Sequence, residues 1–244
     1  MPKKIRLQSA VEAKSAAMFL NDAFTDYLAA RILLNARMPH QGAMMASTAL
    51  EKYFKAILVT RGQRIHGHLQ TAHWNSVSHL YPALVAQLDR DFVRLCQKSY
   101  SLRYTDDLPK GYNIVIASRE FLAELDTSVA TIQKGVRHRL DGEDTQTDFD
   151  RHRVSGDERL VTNNHVLLGV EKFDFIYSEP QFVFEVRNHA HLDVLQITYE
   201  ASGLPKTPGF LRPACLPFTE GNRHGLHLAF GDPKGSEPTP SAAA

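Results

Sequence analysis

Apolar residues recur every three or four positions through the first 140 residues and then alternate through much of the remainder, so the chain reads as helices followed by strands. The strongest helical stretch is residues 41–62. Met45, Ala49, Tyr53 and Ile57 form one ridge in steps of four, and Ala46, Leu50, Phe54 and Leu58 form a second ridge beside it. Two adjacent ridges give an apolar arc wider than a surface helix needs, which predicts a helix covered on several sides. Gly62 supplies the left-handed stop, and Glu51 precedes Lys55 by one turn in the favourable order.

A first helix is predicted over residues 11–37 from the stripe Ala16, Leu20, Ala23, Tyr27, Ala30 and Leu34, with Pro39 ending it and PHQG forming a short turn back. Residues 74–88 predict a third helix that Pro82 kinks or divides. Asp89 or Asp91 caps a fourth with the face Phe92, Leu95, Cys96 and Tyr100. The fifth runs from Ile114 through Ala117, Phe121, Leu125, Val129 and Ile132 to Val136, ending near Asp141 and Gly142. Short links between five amphipathic helices predict an antiparallel five-helix bundle over residues 1–142. Residues 143–156 are nearly devoid of apolar side chains and read as a linker. A small antiparallel β-rich domain is then predicted over 157–232, with strands near 166–170, 173–177, 182–186, 194–199 and 226–230 and a disordered tail over 233–244. The fold class is α+β.

Some of these helical segments carry a resemblance. The run ALEKYFKAIL, the short loop containing His66 and His68, and the later Tyr100-x-x-Arg103-Tyr104-x-Asp106 resemble the HEPN family, whose name abbreviates "higher eukaryotes and prokaryotes nucleotide-binding". Coverage is about residues 15–139. The resemblance implies a helical module that dimerises and binds a nucleotide, RNA or a partner protein. Relatives pair with a small nucleotidyltransferase, usually a separate chain. It also implies an alternative, a metal-independent ribonuclease of a toxin or defence system, because Arg61 and His66 have four residues between them, a spacing similar to that of the active-site motif in such nucleases. That motif is expected in a later helix, with a polar residue after the arginine, whereas Gly62 follows Arg61 here. The non-enzymatic reading therefore leads.

Composition narrows the classes. With 43% hydrophobic and 23% charged residues the chain is ordinary for a globular protein. The start MPKKIRLQSA lacks the apolar run of a signal peptide, and no segment approaches the ~20 apolar residues of a membrane helix, so a cytoplasmic protein without membrane attachment is expected. Two cysteines, Cys96 and Cys215, make no disulfide framework. Residues 1–142 hold 19 Lys/Arg against 12 Asp/Glu, and 143–244 hold 9 against 15, so the halves can dock on one another or the basic half can meet nucleic acid.

The candidate nucleotide- or RNA-binding residues are Arg61, Arg64, His66, Arg103 and Tyr104. Arginine can pair with a phosphate and tyrosine can stack on a base; Arg103 can equally bond Asp106 or helix-end carbonyls. If the site were catalytic, His66 would move the proton of a ribose hydroxyl while Arg61 or Arg103 held the phosphate. His66, His68 and His73, and likewise His189 and His191, lack supporting carboxylate or cysteine ligands, so no metal and no cofactor are expected. No phosphate-binding or dinucleotide glycine fingerprint occurs. Finally, Phe24, Leu28 and Ile32 form a second apolar ridge on the first helix, which predicts a homodimer through the helical half.

Overall fold

The helix predicted to be central is central. In the computed structural model, which describes residues 10–63, 66–136, 138–140, 143–188, 194–202 and 210–211, α2 (Pro39–Val59) buries Ala46, Ala49, Leu50, Tyr53, Phe54 and Leu58. Its cover comes from α1 (Ala10–Asn35), α5 (Arg90–Ser99), α3 (Thr71–Leu80) and α6 (Ser118–Gly135). Pro39 does not end α1 but opens α2, its missing N–H falling among the first-turn donors that lack a helical partner anyway. The turn is thus shorter than expected. Arg37 takes it with a positive φ of 59° while Met38 N–H bonds back to Leu33 O at 2.8 Å. Asp89 caps α5 through the N–H groups of Asp91 and Phe92, and α4 (Pro82–Val85) follows α3 where Pro82 divides the segment.

The fifth predicted helix begins four residues late. Asn113–Ala117 is a strand, β1, rich in β-branched residues and paired antiparallel with β4 (Gln181–Asn188), Asn113 opposite Arg187 and Ala117 opposite Val183. β4 also pairs antiparallel with β5 (Val194–Ala201), giving a three-stranded sheet in the order β1-β4-β5. The strands were expected to bury one face; β4 is covered on both, with Phe184 and Val186 in the main core and Val183 packing with Val115 and Ala117 on the other side.

The stretch expected to be a linker is folded. His138–Leu140 (β2) pairs with Glu143–Thr145 (β3), and Asp148–Val154 forms α7, started by a reciprocal capping pair of Thr147 and Asp150. Two expected strands are helical turns. Asn164 caps α9 (His165–Leu168), which follows α8 (Glu158–Val161), and α10 (Lys172–Tyr177) places Phe173 and Tyr177 one turn apart with rings 4.6 Å from each other. The expected strand near 226–230 and the tail over 233–244 lie outside the described residues.

These corrections have one physical cause. The two halves share a core, and the described residues before 215 fall in one compact unit. β1 from the first half joins the sheet of the second, and Phe24 packs its edge on Phe149 of α7 at 6.1 Å. Arg31 and Asp126, both fully buried, form an ion pair, and the same guanidinium donates to the carbonyls of Arg159 and Thr162. The opposite charges of the halves do meet, in Arg37–Glu200 at 2.5 Å and Arg119–Glu179 at 2.8 Å. The architecture is mostly helical with a small antiparallel sheet, α+β. Among the described residues no helix is long and apolar enough to cross a membrane.

Candidate nucleotide-binding surface

The outer side of α2 carries Glu51 and Lys55 one turn apart, joined at 2.6 Å. Lys55 also donates to Gly67 O at 2.8 Å, which draws the loop after α2 back across the helix. Gly67 has a φ of 86°, a conformation that a side chain would strain, and the residue after it, His68, comes down beside Glu51 with Nδ1 3.6 Å from Oε2. That separation is electrostatic contact rather than a hydrogen bond.

His68 in turn lies on Tyr100, ring centroids 3.8 Å apart and planes within 26°. Nearly parallel rings bring the Tyr100 oxygen, 2.5 Å from Nε2, toward the imidazole face, so stacking governs this contact. Tyr100 starts a 3-10 turn, Tyr100–Arg103, whose spacing returns Arg103 over the same ring at 4.2 Å, with Nη1 donating to the Tyr100 hydroxyl at 2.9 Å. Imidazole, phenol and guanidinium therefore form one column, with Glu51 behind it. Tyr104 follows with 67% of its surface exposed. Beneath the loop His73 is fully buried and accepts from Gln70 N–H at 3.2 Å; burial holds its pKa below the ordinary histidine value, and the nearby Lys55 adds to the effect.

The residues expected from sequence divide. Arg103 and Tyr104 belong to this surface, and Arg103 bonds Tyr100 rather than Asp106. Arg61 points elsewhere: its Nε donates to the Tyr81 hydroxyl at 2.8 Å and its guanidinium lies over that ring. His66 is exposed, and Arg64 lies outside the described residues. Among the described residues no hydrogen bond, ion pair or ring contact joins Arg61 to His66 or Arg103. In the sequence His68 reads as a poor zinc ligand and Tyr100 as part of an apolar face, while the expected Glu51–Lys55 pair is present. The Tyr100-x-x-Arg103 spacing enters the sequence reading only through the family resemblance, not as a stack.

Among the described residues no three His, Cys, Asp or Glu side chains are placed to hold a metal; His189, His191 and Cys215 lie outside them. Cys96 is a buried thiol, pushed up in pKa by its burial. Chemically, the column presents a flat aromatic and cationic face with a delocalised positive charge, suited to a nucleobase and an adjoining phosphate. Comparison with protein-family models, with curated proteins and with solved structures finds no match to this chain.

Proposed function

We propose that this chain is a HEPN-like helical module that binds a nucleotide or RNA without cleaving it. In this reading α1, α2, the α3–α4 pair, α5 and α6 correspond to the five helices of the bundle, and β4 and β5 are accessory. The observation that carries it is the His68–Tyr100–Arg103 column with Tyr104 exposed beside it. Stacking tolerates any base, and Arg103 keeps donors available beyond the one given to Tyr100, so a single-stranded polyanion is the fitting ligand.

The test is fluorescence anisotropy of a labelled single-stranded RNA with the full chain at low and moderate salt. Tyr104→Ala and Arg103→Ala are each expected to weaken binding about tenfold, in the range of a lost stacking contact. Binding that neither change alters, or no binding at low salt, ends the proposal.

One observation favours a second reading, a metal-independent ribonuclease. A histidine backed by a buried carboxylate and sharing a tyrosine ring with an arginine has the parts for proton transfer and phosphate stabilisation, and here that histidine is His68 rather than His66. RNA cleavage in EDTA that His68→Ala abolishes selects the nuclease; intact RNA alongside measurable binding selects the module.

A homodimer and a separate nucleotidyltransferase partner belong to the same proposal. The ridge put forward for self-association is largely occupied, since Phe24 and Leu28 are buried and Phe24 lies against Phe149 and His152 of α7. Pairing through α1 would have to use Val11, Met18 and Ile32, which remain exposed.

A further inference from the structure

The C-terminal half of α6 and helices α7, α8 and α9 border an open cleft of about 650 Å³. That volume suits a small organic molecule, for which pockets run roughly 300–1,000 Å³. The elements differ from those of the His68–Tyr100–Arg103 surface, so the cleft stands independently of the nucleotide reading.

Its floor is apolar. Phe149 is buried there, while Val161, Val166 and Leu167 are only half-buried, leaving hydrocarbon surface available to a guest. Its rim is cationic, with Lys134 and Arg153 both exposed. Among the described residues of the lining the one acid, Asp150, is committed to the start of α7: one carboxylate oxygen accepts from the Thr147 N–H at 3.2 Å and its hydroxyl at 2.9 Å, and the other lies 3.7 Å from Arg153. Lys134 has no ion-pair partner among the described residues. Gln133, also in the wall, is committed to the protein: its Nε2 donates to the Tyr53 hydroxyl at 3.0 Å.

We propose that this cleft binds an amphipathic organic anion: an apolar, ring-sized body on Phe149 and Val166 and an acidic group between Lys134 and Arg153. Each requirement removes alternatives. A cation is repelled at the rim, a purely polar anion leaves the floor wet, and a hydrocarbon leaves the cationic rim without a partner.

The probe is 8-anilinonaphthalene-1-sulfonate, which combines a sulfonate with fused aromatic rings, titrated into the full chain and followed by its fluorescence. N-phenyl-1-naphthylamine, which lacks the sulfonate, is the neutral control. One saturable site is expected for the anion, with the neutral compound bound more weakly. Lys134→Glu should weaken the anion about fivefold, as expected for one exposed charge contact reversed, without affecting the neutral compound. Val166→Trp fills the cleft and should abolish the saturable phase for both. Because Lys134 is exposed, its variant carries the test if Val166→Trp fails to fold. Equal binding of the two compounds, no saturable site, or an anion titration unchanged by Lys134→Glu overturns the proposal.

Discussion

Asp126→Asn replaces one oxygen with an amide and keeps the shape of a side chain that is wholly inside the protein. It leaves the Tyr27 hydroxyl, which donates to Oδ1 at 2.7 Å, an oxygen to bond. What it removes is the counter-charge of Arg31. A guanidinium cannot shed its proton, so the charge stays buried with the Arg159 and Thr162 carbonyls and the Tyr27 ring facing it but no counter-charge, at a cost of about 3–5 kcal/mol out of a total stability of ~5–15. For a chain of this length that lowers the unfolding midpoint by roughly 6–20 °C.

The reverse change, Arg31→Met, behaves differently because its orphan can titrate. Burial already pushes the Asp126 carboxyl above its ordinary range, and Arg31 is the chief influence holding it down. Without Arg31 the acid takes up a proton, and at pH 7 the cost is at most about 4 kcal/mol, 3.2 units above its ordinary 3.8. The native state then binds more protons than the unfolded chain between those values, so stability rises as pH falls. Two pH units return up to about 2.7 kcal/mol.

Urea unfolding at pH 7 and pH 5, followed by the fluorescence of Trp74, the sole tryptophan and nearly buried, reads both variants. Arg31→Met should recover relative to wild type at pH 5 and Asp126→Asn should not. The double change Arg31→Met with Asp126→Leu should recover only part of the loss: a buried pair gains little over hydrocarbon, but the Tyr27 hydroxyl and the Arg159 and Thr162 carbonyls lose the partners it gave them. An Asp126→Asn protein within about 1 kcal/mol of wild type, or a pH-independent Arg31→Met deficit, refutes the buried bridge between α1, α6 and α8.

Gly42→Ala should destabilise by about 1–3 kcal/mol although alanine is the better helix former, because its Cβ would stand 2.7 Å from Leu34 Cγ and 3.2 Å from Ala30 O; a raised thermal midpoint would show that α1 and α2 do not approach so closely. For His73, whose folded pKa lies below its ordinary 6.5, the unfolded chain binds the extra proton, so stability is lost as pH falls below about 6.5. Comparing wild type with His73→Asn from pH 7.5 to 5 should show a smaller loss in the variant, and parallel curves would contradict a buried neutral imidazole.

Local sequence was sufficient wherever one segment's own periodicity and end signals agreed. The double ridge of α2 led to a helix covered on several sides, Asp89 capped α5, Pro82 split the third helix, and Gly62 took a positive φ of 70° after α2. β4 and β5 were legible from alternation, their hairpin pairing included. These features depend on contacts within a few residues of one another.

The remainder depended on partners distant in sequence. Asn113–Ala117 continues the apolar spacing of α6, and only the pairing edge offered by β4, some seventy residues on, makes it a strand. Over five residues, periods of 2 and 3.6 are indistinguishable, so Phe173, Phe175 and Tyr177 read as alternating; in α10, Phe175 points inward and Phe173 outward. The polar stretch 143–156 hid the reciprocal Thr147–Asp150 cap and one anchoring ring, Phe149. That ring packs against Phe24, on the ridge of α1 that looked available to a second copy. The candidate site followed the same rule. Residue type and spacing pointed to Arg103 and Tyr104, but the choice of His68 over His66 was made by Lys55 holding Gly67 and by the ring of Tyr100, contacts that arise only when α2, its following loop and the turn after α5 are folded together.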